Sequence, residues 1–341
     1  MITDPDACKL CGSRDLRRHA HTAGCRACGA LLYFPYPAQD QLPHLDVTRG
    51  KAWTDWNEWY YAAASRNHSN FTQMLRFATE GWPADFRGDV LDYGGGGGQF
   101  ALVVASHFPN VTTWITDIDQ AALLEQWRPY NHVLPFDAFP RDSTRFDAIF
   151  LNDVYEHVDS PQEVLRVLAP KLKPRGLIFI DTPRTFWLYP LLRTASPALY
   201  TRLCRGTVTR SHLQLWTRRA FDTVAEECGL RVERYRECSE FTMPAEYYLN
   251  NMGITSRWVR LVGRMFHAYA GVLARNKIMA VLRPARAVHP PRGEAAQDVR
   301  AAEEAEGGET RGTPGASTPP LPPDVVRPAE ARTLSGAERQ S

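Results

Sequence analysis

Four cysteines near the start of the chain stand in two C-x-x-C-G pairs, Cys8-Lys9-Leu10-Cys11-Gly12 and Cys25-Arg26-Ala27-Cys28-Gly29, separated by thirteen residues. Each pair bends the backbone so that two sulfurs converge, and the glycine behind it eases the bend. Four thiolates complete a tetrahedral Zn2+ shell and leave no position for water. The spacing therefore predicts a structural site of Cys8, Cys11, Cys25 and Cys28, with free or disulfide-bonded cysteines as the alternative. Lys9, Arg14, Arg17, Arg18 and Arg26 would offset the thiolate charge, and His19 and His21 are read as surface residues. A second stretch with chemistry in it is Asp89 to Phe100, DVLDYGGGGGQF. A short apolar strand ends on a carboxylate, Asp92, and breaks into the glycines Gly94 to Gly98. The apolar run Phe100 to Val104 follows. Bare backbone N–H groups in such a turn, leading into a helix N-terminus, come close to a ligand.

The residues around the glycines separate two kinds of ligand. A nicotinamide fingerprint is G-x-G-x-x-G, and only the relaxed frame Gly96, Gly98, Ala101 fits it. Gly94, Gly96 and Gly98 instead give G-x-G-x-G, preceded by Asp92. A carboxylate repels a pyrophosphate and attracts an ammonium. The stretch resembles motif I of the class I S-adenosylmethionine-dependent methyltransferases, which implies S-adenosylmethionine as cofactor, held by Asp92, Gly94, Gly96 and Gly98.

Later blocks agree with that resemblance. Asp117 ends the predicted strand Val111 to Thr116, nineteen residues beyond Gly98, near the separation at which an acid meets a ribose in doubly wound sheets. Asp119 is read as the cap of a helix over 120–127. After a third strand, His132 to Leu134, the resemblance puts Asp137 and Ala138 around the adenine. The strand Ala148 to Leu151 delivers Asn152 and Asp153 to the carboxyl edge, where ligands bind in open α/β sheets, and Asn152 joins the cofactor set. Glu156-His157-Val158 matches the E-H-V that follows this strand in many small-molecule methyltransferases. Ser160, Pro161 and Glu163 predict a capping box for a helix reaching Leu172, and Pro174 to Gly176 turn the chain into a strand Leu177 to Ile180. His212 resembles the histidine of an H-x-x-x-[FW]-[TS] element, here ending at Trp216 and Thr217. The resemblance covers residues 87 to 283. A hydroxyl or carbon acceptor must lose a proton, so His157, His212 and Asp153 are the catalytic candidates; each histidine could equally hold backbone in place or line the pocket.

The elements that must position these residues amount to an α/β fold: a doubly wound, Rossmann-like seven-stranded sheet, preceded by a small zinc ribbon and followed by a disordered tail. The expected divisions are a ribbon over 1–45, a helical cap over 46–86 and a methyltransferase domain over 87–284. Helical lid insertions over 185–211 and 243–275 would select the acceptor, and 285–341 is the tail. A ribbon running into an aromatic-proline segment, here Leu31 to Pro37, is also similar to the N-terminal extension of some bacterial methyltransferases acting on sugars and other secondary metabolites. The expected partner is a small-molecule acceptor. A net charge of +2 gives no electrostatic case for nucleic acid. No run of about 18 apolar residues is present, and no signal peptide is visible; with cysteines suited to metal or core, the chain reads as cytoplasmic. A basic amphipathic stretch over 257–275 leaves open a peripheral membrane contact. Two other functional classes stay open, a non-catalytic zinc-ribbon scaffold that retains the cofactor pocket and a nicotinamide oxidoreductase.

Overall fold

The computed structural model describes residues 6–36, 64–119, 123, 128–185, 189–198, 200–201, 204, 208, 212–240 and 275–285. The chain opens with a hairpin, β1 (Leu16–His19) and β2 (Thr22–Cys25), and a third short strand, β3 (Leu31–Tyr33), all antiparallel. Next come α1 (Ala64–Ala78), β4 (Gly88–Tyr93), α2 (Phe100–His107), β5 (Val111–Thr116), β6 (His132–Val133) and β7 (Phe146–Asn152). The rest is α3 (Pro161–Leu168), β8 (Leu172–Pro183), α4 (Tyr189–Ala195), β9 (Gln214–Leu215), α5 (Arg218–Glu227), β10 (Leu230–Cys238) and β11 (Lys277–Pro284).

The large sheet has the order β10-β11-β8-β7-β4-β5-β6, with β11 antiparallel to both neighbours and the others in parallel register. Its strands are continuous apolar runs because both faces are covered. Side chains alternate between the faces. Val90, Phe150, Phe179 and Val281 pack with Met74 and Leu75 of α1 and Val103 of α2. Leu91, Ile149, Ile178 and Leu282 share the opposite core with Leu165 of α3, Phe221 of α5 and the cysteines. From β4 the chain winds outward through β5 and β6, then returns to β4's other side as β7. The reversal opens a crevice at the carboxyl ends of β4 and β7.

The expected sheet is therefore present, with corrections at element ends. The helix predicted to reach Leu172 ends at Leu168 and tightens into a 3-10 turn, Ala169–Lys171; Pro170 has no N–H to continue the ladder. Ser160 makes no side-chain cap bond, and Glu163 pairs with Arg166 at 2.9 Å instead. β8 begins at Leu172, before the predicted turn. Leu172 pairs with Phe146 and Leu177 with Ala148, so Lys173 to Gly176 form a bulge inside the strand. A Cβ on Gly176 would sit 2.8 Å from the Phe146 carbonyl oxygen, so the bulge needs glycine there. Strand β9 was not predicted: it adds an edge to the N-terminal sheet, in the order β1-β2-β3-β9. Residues 46–63, the helix over 120–127 apart from Leu123, the stretch 243–274 and the tail beyond 285 lie outside the described residues.

Candidate active site

At the carboxyl end of β4 the glycine turn adopts conformations that L side chains resist. Gly94, Gly96 and Gly98 have φ of +75°, +49° and +81°. A Cβ on Gly94 would lie 2.6 Å from a Val154 methyl, and one on Gly95 2.5 Å from Asp92 Oδ2. The turn is stapled to β5, where Gly94 N–H donates to the Thr116 carbonyl at 2.8 Å. Below it Asp92 is 2% exposed, and Asn152 Nδ2 donates to its Oδ1 at 3.3 Å. Burial, followed by the neighbouring Asp117 charge, pushes the Asp92 carboxyl up to about 7. Asp117 accepts from Gly96 N and Asp119 N, both at 2.8 Å. Burial raises its pKa by more than these bonds lower it. No lysine or arginine pairs with either acid among the described residues. The Oδ1 of Asn152 and the Oε1 of Gln99 are buried without a hydrogen-bond partner among the described residues. Asp137 and Ala138 lie exposed in the turn after β6, beside Phe136 and Phe139, whose rings pack on Tyr93.

One strand over, the end of β7 is built differently. Asp153 has φ +53°, a left-handed backbone that costs a non-glycine residue on the order of 1–3 kcal/mol. Its N–H donates to the Asp181 carbonyl at 3.2 Å, and its carboxylate is paired with Lys277. Burial alone would raise the Asp153 pKa; Lys277, with smaller help from His212 and His157, brings it below the ordinary carboxylate range. Glu156 is buried, with Thr182 Oγ1 donating to its Oε2 at 3.0 Å. Burial, then the Asp153 charge, pushes Glu156 up to about 8. The rings of His157 and His212 stand 4.8 Å apart and nearly perpendicular. Donor atoms of Glu156, His157 and His212 all lie within 4.8 Å of one another.

His212 reaches this place through the N-terminal sheet. Leu31 and Leu32 of β3 pair with Leu215 and Gln214 of β9, and Tyr33 N–H donates to the Leu213 carbonyl at 2.8 Å. Leu213 N–H donates to the Glu156 carbonyl at 2.8 Å, and the Gln214 amide donates to the Tyr155 and Val158 carbonyls. Thr217 caps α5 by accepting from Ala220 N, while its hydroxyl donates to the Cys28 carbonyl at 2.6 Å. Tyr155 stacks on Trp216 at 4.7 Å.

The four N-terminal sulfurs converge: Cys8 and Cys28 are 3.8 Å apart, Cys11 and Cys25 3.6 Å, and all four lie within 4.8 Å of one another. A tetrahedron with Zn–S bonds of about 2.3 Å has edges of about 3.8 Å, so the donor set fits that ion. Arg18 and Arg26 pair with Asp6 and Asp15, and Lys9 with Asp159. His19 and His21 are half-buried rather than surface residues, and His19 Nε2 contacts Thr201 Oγ1 at 3.1 Å, where the segment after α4 packs on the hairpin.

Of the residues singled out from sequence, Asp92, Gly94, Gly96, Gly98, Asp117 and Asn152 gather around the turn, and Asp153, His157 and His212 around the end of β7. Sequence reasoning missed Lys277, Asp181 and Glu240, a buried cation with two further carboxylates at 2.5 and 3.7 Å. A lysine opening the apolar strand Lys277–Pro284 was the available signal.

A family profile described as "Methyltransferase domain" matches residues 63–235, just over half of the chain. The ubiquinone biosynthesis O-methyltransferase of Coxiella burnetii is 28% identical over 156 residues, which cover 42% of this chain and 63% of that protein. The protein of the same description from Xylella fastidiosa is 26% identical over 167 residues, covering 45% and 68%. The chain thus spans under two thirds of the Coxiella relative's length. Among solved structures, CalO1, a methyltransferase in calicheamicin biosynthesis in its SAH-bound form, is 15% identical with a TM-score of 0.44, covering 73% of this chain and 65% of that one.

Proposed function

The chain belongs to the methyltransferase-domain family, and from that premise we propose that it transfers a methyl group from S-adenosylmethionine to a small-molecule acceptor. The observation that carries the reading is the buried Asp92 and half-buried Asp117 around a left-handed glycine turn that leaves no room for a side chain at Gly94 or Gly95, with no cation paired to either acid among the described residues. When bound, S-adenosylmethionine supplies an electrophilic methyl on a positively charged sulfur. Asp92 holds the ammonium of the methionine moiety and regains its own charge by doing so. Asp117 exchanges Gly96 N–H for the ribose hydroxyls, Asp137 and Ala138 border the adenine, and Asn152 orients Asp92. On the acceptor side one of the two histidines, His157 or His212, takes the proton from the attacking group. Asp153, held ionised by Lys277, is a weak base and acts on their orientation.

Cys8, Cys11, Cys25 and Cys28 hold a structural zinc that keeps β3 in place beside β9. The acceptor we favour is a sugar or another secondary or cell-envelope metabolite. A phenolic hydroxyl is the second reading, supported by the O-methyltransferase description of the relatives. Calorimetry with S-adenosylmethionine, S-adenosylhomocysteine and NADH tests the donor side; binding of NADH alone would overturn it. Incubation with methyl-labelled S-adenosylmethionine and a panel containing a nucleotide sugar and a catechol separates the two acceptor classes. Label on neither, with the cofactor bound, would favour the scaffold reading.

A further inference from the structure

Lys277 opens β11 with its side chain only 5% exposed, and acids from three neighbouring segments face its ammonium. Asp181 Oδ2 on β8 lies at 2.5 Å, Glu240 Oε1 just past β10 at 3.7 Å, and Asp153 just past β7 is in direct contact. Glu156 is the fourth acid acting on it. Burial alone would drive the ammonium towards neutrality, but these acids more than reverse that, so the charge is retained. Stability alone is a poor reason to keep such a group, since apolar residues of similar volume often replace buried ion pairs without loss.

The geometry offers a more specific reason. Asp153 carries a left-handed backbone at φ +53°, and such a conformation persists only where its surroundings hold it from more than one side. Here the Asp181 carbonyl holds its N–H, and Lys277, itself anchored on the Asp181 side chain, holds its carboxylate. The turn that starts at Asp153 carries Glu156 and His157, and the Asp153 charge acts on both His157 and His212.

We propose that Lys277 is a positioning residue for the acceptor side: by anchoring the Asp153 carboxylate it fixes the left-handed turn that sets His157 against His212. The inference rests on reading this edge as the methyl-transfer site.

The test uses full-length, zinc-loaded protein with 13C-labelled histidine, the two imidazole signals being identified with His157→Gln and His212→Gln. Lys277→Gln is expected to move both signals and their titration midpoints, and Lys277→Arg to restore them. In an Asp153→Asn background, Lys277→Gln is expected to add nothing. Binding of S-adenosylhomocysteine should persist throughout, since the acids that act on Lys277 are Asp153, Asp181, Glu240 and Glu156 and not Asp92 or Asp117. Should Lys277→Gln fail to fold, the double variant Lys277→Gln/Asp181→Asn, which replaces both ends of that buried pair with amides, is read in the same way. Unmoved histidine signals in a folded variant that binds S-adenosylhomocysteine would overturn the inference, and so would additive effects of Lys277→Gln and Asp153→Asn. Wild-type protein that fails to bind S-adenosylhomocysteine would remove the reading underneath it, and the inference with it.

Discussion

Asp92 and Asp153 stand at the ends of neighbouring parallel strands, and the protein surrounds them in opposite ways. Around Asp92 lie a second acid, an amide and bare glycine backbone, with no cation among the described residues. Around Asp153 lies a lysine tied to two further acids. The first arrangement leaves a carboxyl with no cationic partner among the described residues, suited to a cationic ligand; in the second the Asp153 carboxylate is already paired with Lys277 and specifies geometry. Among the described residues the N-terminal sheet is hydrogen-bonded to the second side through β9, Leu213 and Thr217.

That asymmetry predicts that the two sides fail separately. The largest effect is expected from zinc, since structural sites of this kind contribute on the order of 10 kcal/mol. Metal analysis should find one zinc per chain. Stripping it should abolish methyl transfer and raise hydrogen exchange over 6–36 and 212–217, with S-adenosylhomocysteine affinity changed far less, because Asp92 and Asp117 take their hydrogen bonds from Asn152, Gly96 and Asp119 rather than from the ribbon. Loss of donor affinity together with the metal would erase the distinction between the sides.

Asp92→Asn comes next. Losing a charged hydrogen bond of about 1.5–3 kcal/mol should weaken S-adenosylhomocysteine roughly 10- to 100-fold by calorimetry. Asp153→Asn should leave that affinity nearly unchanged. Similar losses in both would mean that Asp153 also faces the donor.

The pH dependence should differ in sign. Asp92, raised from 3.8 to about 7, favours the folded state while protonated and becomes a cost as pH rises through that interval. Binding a cation requires its ionised form, so donor affinity should climb with pH to about 7 and then level off. Calorimetry at about pH 6 in buffers of different ionisation enthalpy should show proton release in the wild type and none in Asp92→Asn. Asp153 is shifted the other way: its contribution to stability is present above the ordinary carboxylate range and is lost as pH falls through its lowered pKa. The smallest effect is expected from Thr217→Ala, which removes a helix cap and the bond to Cys28 and should cost about 1 kcal/mol in thermal unfolding. A change in donor affinity there would contradict the separation.

What could be read from sequence was local. The glycine turn, the C-x-x-C pairs and Glu156-His157-Val158 each lie within a few residues, and strand runs such as FDAIFLN declare themselves by apolar content. The wiring of the acceptor side was not local. The strand β9 is only two residues long, too short for any periodicity, and its partner β3 lies far upstream. Lys277 meets Asp153 across 124 positions of sequence. Pro174-Arg175-Gly176 looked like a turn because its residues suit one, yet pairing on both sides absorbed it as a bulge.

The reversed course of β11 has a practical corollary. Because it runs against its neighbours, its opening residue meets the reactive crevice, while Pro284 pairs with Leu230 at the far rim of the sheet. Among the described residues β11 therefore ends at the rim opposite the crevice, which recommends that rim for affinity handles and surface tethering.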